Sequence, residues 1–156
     1  MKTLLLSILL LGASAATANA ETFTFTSSAQ TTNLLVVPVA GGNPVISQFS
    51  TGTSATTYAS GKKSTTTNNC AGWSAAPGSP FTATGICIFT EANGDKASIQ
   101  WSCIATNKEQ TAANCWGGLT GMAGARENKT GTITWHQWPN ADGKTGAASG
   151  AGLWND

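Results

Sequence analysis

The stretch Gly85–Cys103, reading GICIFTEANGDKASIQWSC, constrains this chain more than any other. Two apolar, β-branched runs flank Asn93-Gly94, a pair that tolerates the left-handed backbone of a type I′ hairpin turn. Taking those two residues as the loop sets a register: Glu91 opposite Lys96, Phe89 opposite Ser98, Ile88 opposite Ile99 and Ile86 opposite Trp101. Ile86, Ile88, Ile99 and Trp101 then share one face, a dense apolar surface suited to burial, and the Glu91/Lys96 pair adds about 0.2–1 kcal/mol beside the turn. A one-residue slip would invert every side chain. In this register Cys87 and Cys103 point to opposite faces, which argues against a bridge between them, because bridged cysteines need converging Cβ vectors.

Upstream, Met1–Ala20 has a basic start (Lys2), an apolar run (Leu4–Leu11) and Ala18-Asn19-Ala20. This reads as a cleaved secretory signal. The run is too short to span a bilayer, so the mature chain is expected to carry no transmembrane segment and to be secreted or periplasmic. Removing Lys2 leaves seven Lys and Arg against seven Asp and Glu. A chain without net or clustered positive charge is a poor partner for nucleic acid or an anionic membrane; its only basic doublet is Lys62-Lys63.

Four cysteines in an exported chain point to disulfides. With one histidine and no C-x-x-C spacing, a metal site is not expected. The favoured pairing is Cys103–Cys115, across the loop Thr106–Ala113, with Cys70–Cys87 tying the preceding segment to the hairpin.

Elsewhere the pattern has period two. Thr22–Ser27 alternates, with Phe23 and Phe25 on one face. Asn33–Val39 is a continuous apolar run, read as a buried strand. Pro44–Thr51 and Ser54–Ser60 read as two strands around Gly52, and Asn114–Leu119 and Gly131–Trp138 as two more. Gly61–Asn69 reads as polar loop or weak strand, and Ala71–Pro80 as a turn-rich connection. The expected fold is all-β: a small antiparallel β-barrel of about seven or eight strands over residues 21–138, disulfide-bonded, with a loose Gly/Ala-rich tail over 139–156. Charged residues are only 10% of the chain; threonine, serine and asparagine take their place on the expected exposed strand faces.

The segment Trp116–Thr134, WGGLTGMAGARENKTGTIT, resembles the glycine-rich corner of the allene oxide cyclase/dirigent-like barrel superfamily. Gly117-Gly118, Thr120-Gly121 and Ala123-Gly124-Ala125 carry the likeness. Met122 stands where that pattern has an aromatic, and Arg126-Glu127 replaces a later glycine. The resemblance implies a barrel whose cavity binds an apolar or phenolic small molecule without a cofactor. None of that family's functional residues has a match here.

Candidate chemistry is sparse. His136, the only histidine, shares a strand face with Thr132, Thr134 and Trp138 and is the candidate acid/base group of a cavity. Among six tryptophans, Trp138, Trp135 and Trp101 are the candidate ligand-binding residues, with Trp138, beside Pro139, at a cavity mouth. No G-x-S-x-G elbow and no strand-borne carboxylate pair is present. The resulting expectation is an exported barrel that binds a small apolar or aromatic molecule. The alternatives are a cofactor-independent isomerase or cyclase in the same cavity, and a structural or interaction protein of the envelope.

Overall fold

A computed structural model describes residues 20–40, 44–75, 80–141 and 144–155. The signal segment, apart from Ala20, lies outside the described residues. Eight antiparallel strands follow one another round a closed barrel: β1 (Glu21–Val37), β2 (Val45–Tyr58), β3 (Lys63–Ser74), β4 (Ala83–Glu91), β5 (Lys96–Ala105), β6 (Ala113–Ala123), β7 (Thr130–Pro139) and β8 (Thr145–Asn155). One 3₁₀ turn, Gly124–Arg126, joins β6 to β7. The chain is therefore all-β, and closure leaves no full-length sheet edge to be blunted.

The register fixes the shape. Following paired residues once round the barrel leads from Tyr58 through Phe23, Gly152, Ile133, Gly117, Trp101, Gly85 and Gly72 back to Gln48 on the same strand. That offset of ten residues (58 − 48) means that the strands are strongly tilted, and eight tilted strands enclose a space just wide enough for side chains or one small ligand. Phe23, Tyr58, Ala97, Ile99, Leu119, Ile133 and Trp154 are buried in the interior, with Phe25, Phe89, Trp101 and Trp135 packed on them. The outer face is exposed and threonine-rich, as at Thr24, Thr57, Thr65, Thr67 and Thr132. An aromatic interior and a hydroxyl-rich exterior are the reverse of a membrane-spanning barrel. Among the described residues no helix is long and apolar enough to cross a membrane.

Both disulfides form as expected, Cys70–Cys87 and Cys103–Cys115, but the central hairpin is slipped by one residue from the expected register. Phe89 faces Ala97, Cys87 faces Ile99 and Gly85 faces Trp101. The cause lies in the turn. Glu91 N–H donates to Asp95 O (2.9 Å), Gly94 N–H donates to Glu91 O (3.0 Å), and only Gly94 has a positive φ, +91°. Asn93 uses its Oδ1 to accept from Asp95 N–H at 3.1 Å instead of adopting a left-handed backbone. The loop is thus three residues, Ala92-Asn93-Gly94, with the glycine as bulge. Ile99 and Trp101 turn inward beside Cys87, Phe89, Ala97 and Cys103, whereas Ile86 is exposed. Cys87 and Cys103 consequently share the inner face, and the reason first given against their bridging is incorrect. What selects the pairing is registry: Cys70 stands opposite Cys87, and Cys103 opposite Cys115.

Two further expectations are corrected, and one that stood between two alternatives is decided. Residues 145–155 are not a loose tail but β8, paired with both β1 and β7; its small residues let the last strand fit tightly into the ring. The polar stretch after Gly61, read as loop or weak strand, is the start of β3, whose Thr66, Asn68 and Cys70 point inward. Leu34–Val37 belong to β1 but are exposed, because β8 pairs with β1 only as far as Gln30. β1 and β2 continue past the barrel wall as a two-stranded ribbon, with an irregularity between Thr31 and Asn33 at its base.

Candidate functional site: an aromatic cavity with one open end

The two barrel ends differ. At one end Arg126, 6% exposed, is carried in from the β6–β7 turn. Its Nη1 donates to Glu21 Oε2 at 2.9 Å, and its guanidinium lies 4.8 Å from the Tyr58 ring centroid and 5.1 Å from that of Trp154. Burial works against the cation, but Glu21 and Tyr58 more than offset it, so its pKa is raised. Tyr58 Oη donates to Glu91 Oε1 at 3.3 Å. Burial pushes its phenol above the ordinary value despite the nearby Arg126, so Tyr58 is a neutral donor at physiological pH. Together these groups close the barrel floor.

Asp95 locks this end to the hairpin. Its Oδ1 accepts from Ala125 N–H at 2.9 Å, and its Oδ2 accepts from Asn93 Nδ2 at 3.0 Å. The Ala125 bond, helped by Asn93 and opposed by burial, holds its carboxyl below the usual carboxylate range. A depressed folded-state pKa contributes stability that is complete above the unfolded value, about 4, and is lost as pH falls through the folded one. Asp95→Asn is therefore expected to flatten the loss of stability below about pH 4, measured by urea melts from neutral to acid. A variant with an unchanged acid limb would contradict the assignment.

Above the floor lies a cavity of about 370 Å³ that opens at the other end, within the size of small-molecule sites. Its walls carry Phe23, Phe25, Phe89, Ile99, Trp101 and Trp135, with the two indoles edge to face at 6.5 Å. The Trp101 ring spreads over two glycines. A Cβ on Gly72 would come within 2.8 Å of its Cη2 and Cζ2, and one on Gly85 within 2.5 Å of Cζ2. Those glycines are the seat that keeps the indole flat against the wall.

A few polar groups break the apolar lining. Trp135 Nε1 donates to Gln137 Oε1 at 3.1 Å, and Asn68 Nδ2 donates to Ser54 Oγ at 3.2 Å. Asn68 Oδ1, Thr66 Oγ1 and Trp101 Nε1 are buried with no hydrogen-bond partner among the described residues. A buried unpaired polar atom costs roughly 1–3 kcal/mol, and all three belong to residues that line the cavity.

Trp101 and Trp135 line the cavity wall, and Trp138 lines the mouth. His136 does not line it. Its ring is on the exposed outer face, where Nδ1–H donates to Asn114 Oδ1 at 2.8 Å and the ring stacks on Trp138 at 5.6 Å. Reading the sequence missed the floor. Arg126 looked like a departure from a glycine pattern, and Tyr58 and Glu21 sit at strand ends with no motif; only the lone tyrosine in a chain so poor in charge would have drawn attention to them. Among the described residues no cluster of three or more His, Cys, Asp or Glu could hold a metal ion. Comparisons with protein-family models, with curated proteins and with solved structures find no match to this chain.

Proposed function

We propose that this is an exported binding protein whose barrel holds one small apolar or aromatic molecule. The carrying observation is the cavity itself: an aromatic-walled space of about 370 Å³, open at one end, with three buried polar atoms left unpaired. The likeness of the glycine-rich corner to allene oxide cyclase/dirigent-like barrels supports the same reading. The two disulfides support an oxidising, extracytoplasmic location.

The test is a thermal-shift and tryptophan-fluorescence screen of apolar, aromatic and sugar compounds. A true ligand stabilises by about 2.7 kcal/mol at a hundred times its Kd. Gly72→Ala, which pushes the Trp101 ring into the cavity, is expected to lower the affinity tenfold or more while keeping the barrel folded. Binding indifferent to Gly72→Ala would place the ligand elsewhere.

One observation favours a second reading, cofactor-independent isomerisation in the same cavity: Tyr58, a neutral phenol, is hydrogen-bonded to Glu91 on the floor. Tyr58→Phe separates the two readings. Loss of turnover with binding retained would support the enzyme, and an unaltered product profile would exclude Tyr58 as its acid.

A further inference from the structure

The outer surface is polarised along the barrel axis. Apart from Ile86, Trp116 and Met122, its exposed large apolar side chains point outward at the open end, and the rest of its height presents mostly threonine. Trp73, Ile104 and Trp138 are each the penultimate residue of their strand, β3, β5 and β7, and each is 39–48% exposed. In an eight-stranded ring these strands stand a quarter-turn apart, so the three residues, with Phe49 on β2, form a girdle round the rim. Above it rises the β1–β2 ribbon. Leu35, Val37 and Val45 lie on one of its faces and Leu34, Val36 and Ile46 on the other, as the pairs Leu35↔Ser47 and Leu34↔Gln48 require. Leu34, Leu35, Val36 and Val37 are 48–62% exposed. No charged residue occurs between Glu21 and Lys62.

We propose that this end of the barrel docks on a lipid bilayer, with the ribbon inserted and the girdle at the headgroup boundary. The arrangement selects a bilayer over a second copy of the chain. A stable dimer needs a patch of about 800 Å² on each partner, but the girdle points radially outward in several directions. A copy alongside would cover one flank, and a copy stacked end-on would leave the radial side chains in water. A ribbon apolar on both faces likewise has no single side to offer a partner. A bilayer into which the rim sinks by roughly 5–10 Å surrounds every one of these groups, and tryptophan is a residue favoured at that boundary. With no charge on the ribbon, attachment rests on apolar burial and suits a neutral lipid surface. Docking in this pose sets the cavity mouth against the membrane.

The test uses the protein beginning at Glu21, which contains all eight strands, with vesicles of phosphatidylcholine. Wild type is expected to float with the vesicles, and its tryptophan fluorescence to be quenched by lipid brominated on the acyl chains. The double variant Leu35→Glu/Val37→Glu changes only exposed side chains and should keep its melting temperature while losing at least tenfold in vesicle partition. Trp73→Ser should float less and lose part of the quenching. Wild type remaining in the aqueous fraction would overturn the proposal. So would sedimentation of wild type as a dimer that the double variant dissociates, which would make the ribbon a self-association surface.

Discussion

Replacing Cys103 and Cys115 together by alanine is expected to lower the stability of the barrel by about 3 kcal/mol or more, a large share of the roughly 5–15 kcal/mol typical of a domain. The corresponding loss for Cys70 and Cys87 should be smaller. Loop closure alone gives the opposite order, because the sequence separations are 12 and 17, though the difference it makes is only a few tenths of a kcal/mol. Packing decides. Cys103 and Cys115 are 1% and 3% exposed and sit against Ala83, Trp101 and Trp135, so their loss opens a void beside the cavity wall. Cys70 is half-buried. Denaturant melts of the two double variants measure the order directly. A greater cost for the Cys70–Cys87 pair would mean that chain entropy outweighs packing here.

Arg126→Ala is expected to be the most damaging single substitution, at about 3 kcal/mol. It removes the cation between Tyr58 and Trp154, strips Glu21 of its partner and leaves a hole in the floor. Glu21→Gln should cost less than half as much, because the Glu21 side chain is already 32% exposed and water replaces part of what it loses. Arg126→Lys should not rescue, since an ammonium cannot lie flat between two rings while reaching the carboxylate. If Arg126→Ala and Glu21→Gln cost the same, the ion pair rather than the stacking would hold the floor. Chemical denaturation at neutral pH distinguishes the two.

The barrel was legible in the sequence because its strands alternate, yet several elements were read wrongly in ways that cancelled in the count. Two pairs of short runs merged into β1 and β2, since Gly52 does not break its strand: the backbone of Ser28 and Ala29 on β1 and Asn68 Oδ1 on β3 close in on the space its side chain would take. One strand, β8, went unseen, and β3 was only half-read, as polar loop or weak strand. β3 opens with polar residues because its inward Thr66 and Asn68 face a cavity rather than a packed core, and β8 is built of glycine and alanine, which carry little periodic signal. The hairpin register depended on whether Asn93 takes a left-handed backbone or hydrogen-bonds forward to Asp95, a choice that the dipeptide leaves open. Residue type singled out Trp101, Trp135 and Trp138; the first two lie on the cavity wall, and the third stands at its rim on the outward parity that it shares with His136. His136 was chosen for its chemistry alone, and strand parity places it outside.

The central claim, a ligand held inside the barrel, is tested most directly by intermolecular NOEs from the first compound that raises the melting temperature. Contacts from the bound compound to the ring protons of Phe25, Phe89, Trp101 and Trp135 are the predicted result, because these rings form the cavity wall. Contacts confined to Trp73 and Trp116, both on the outer surface, would contradict it.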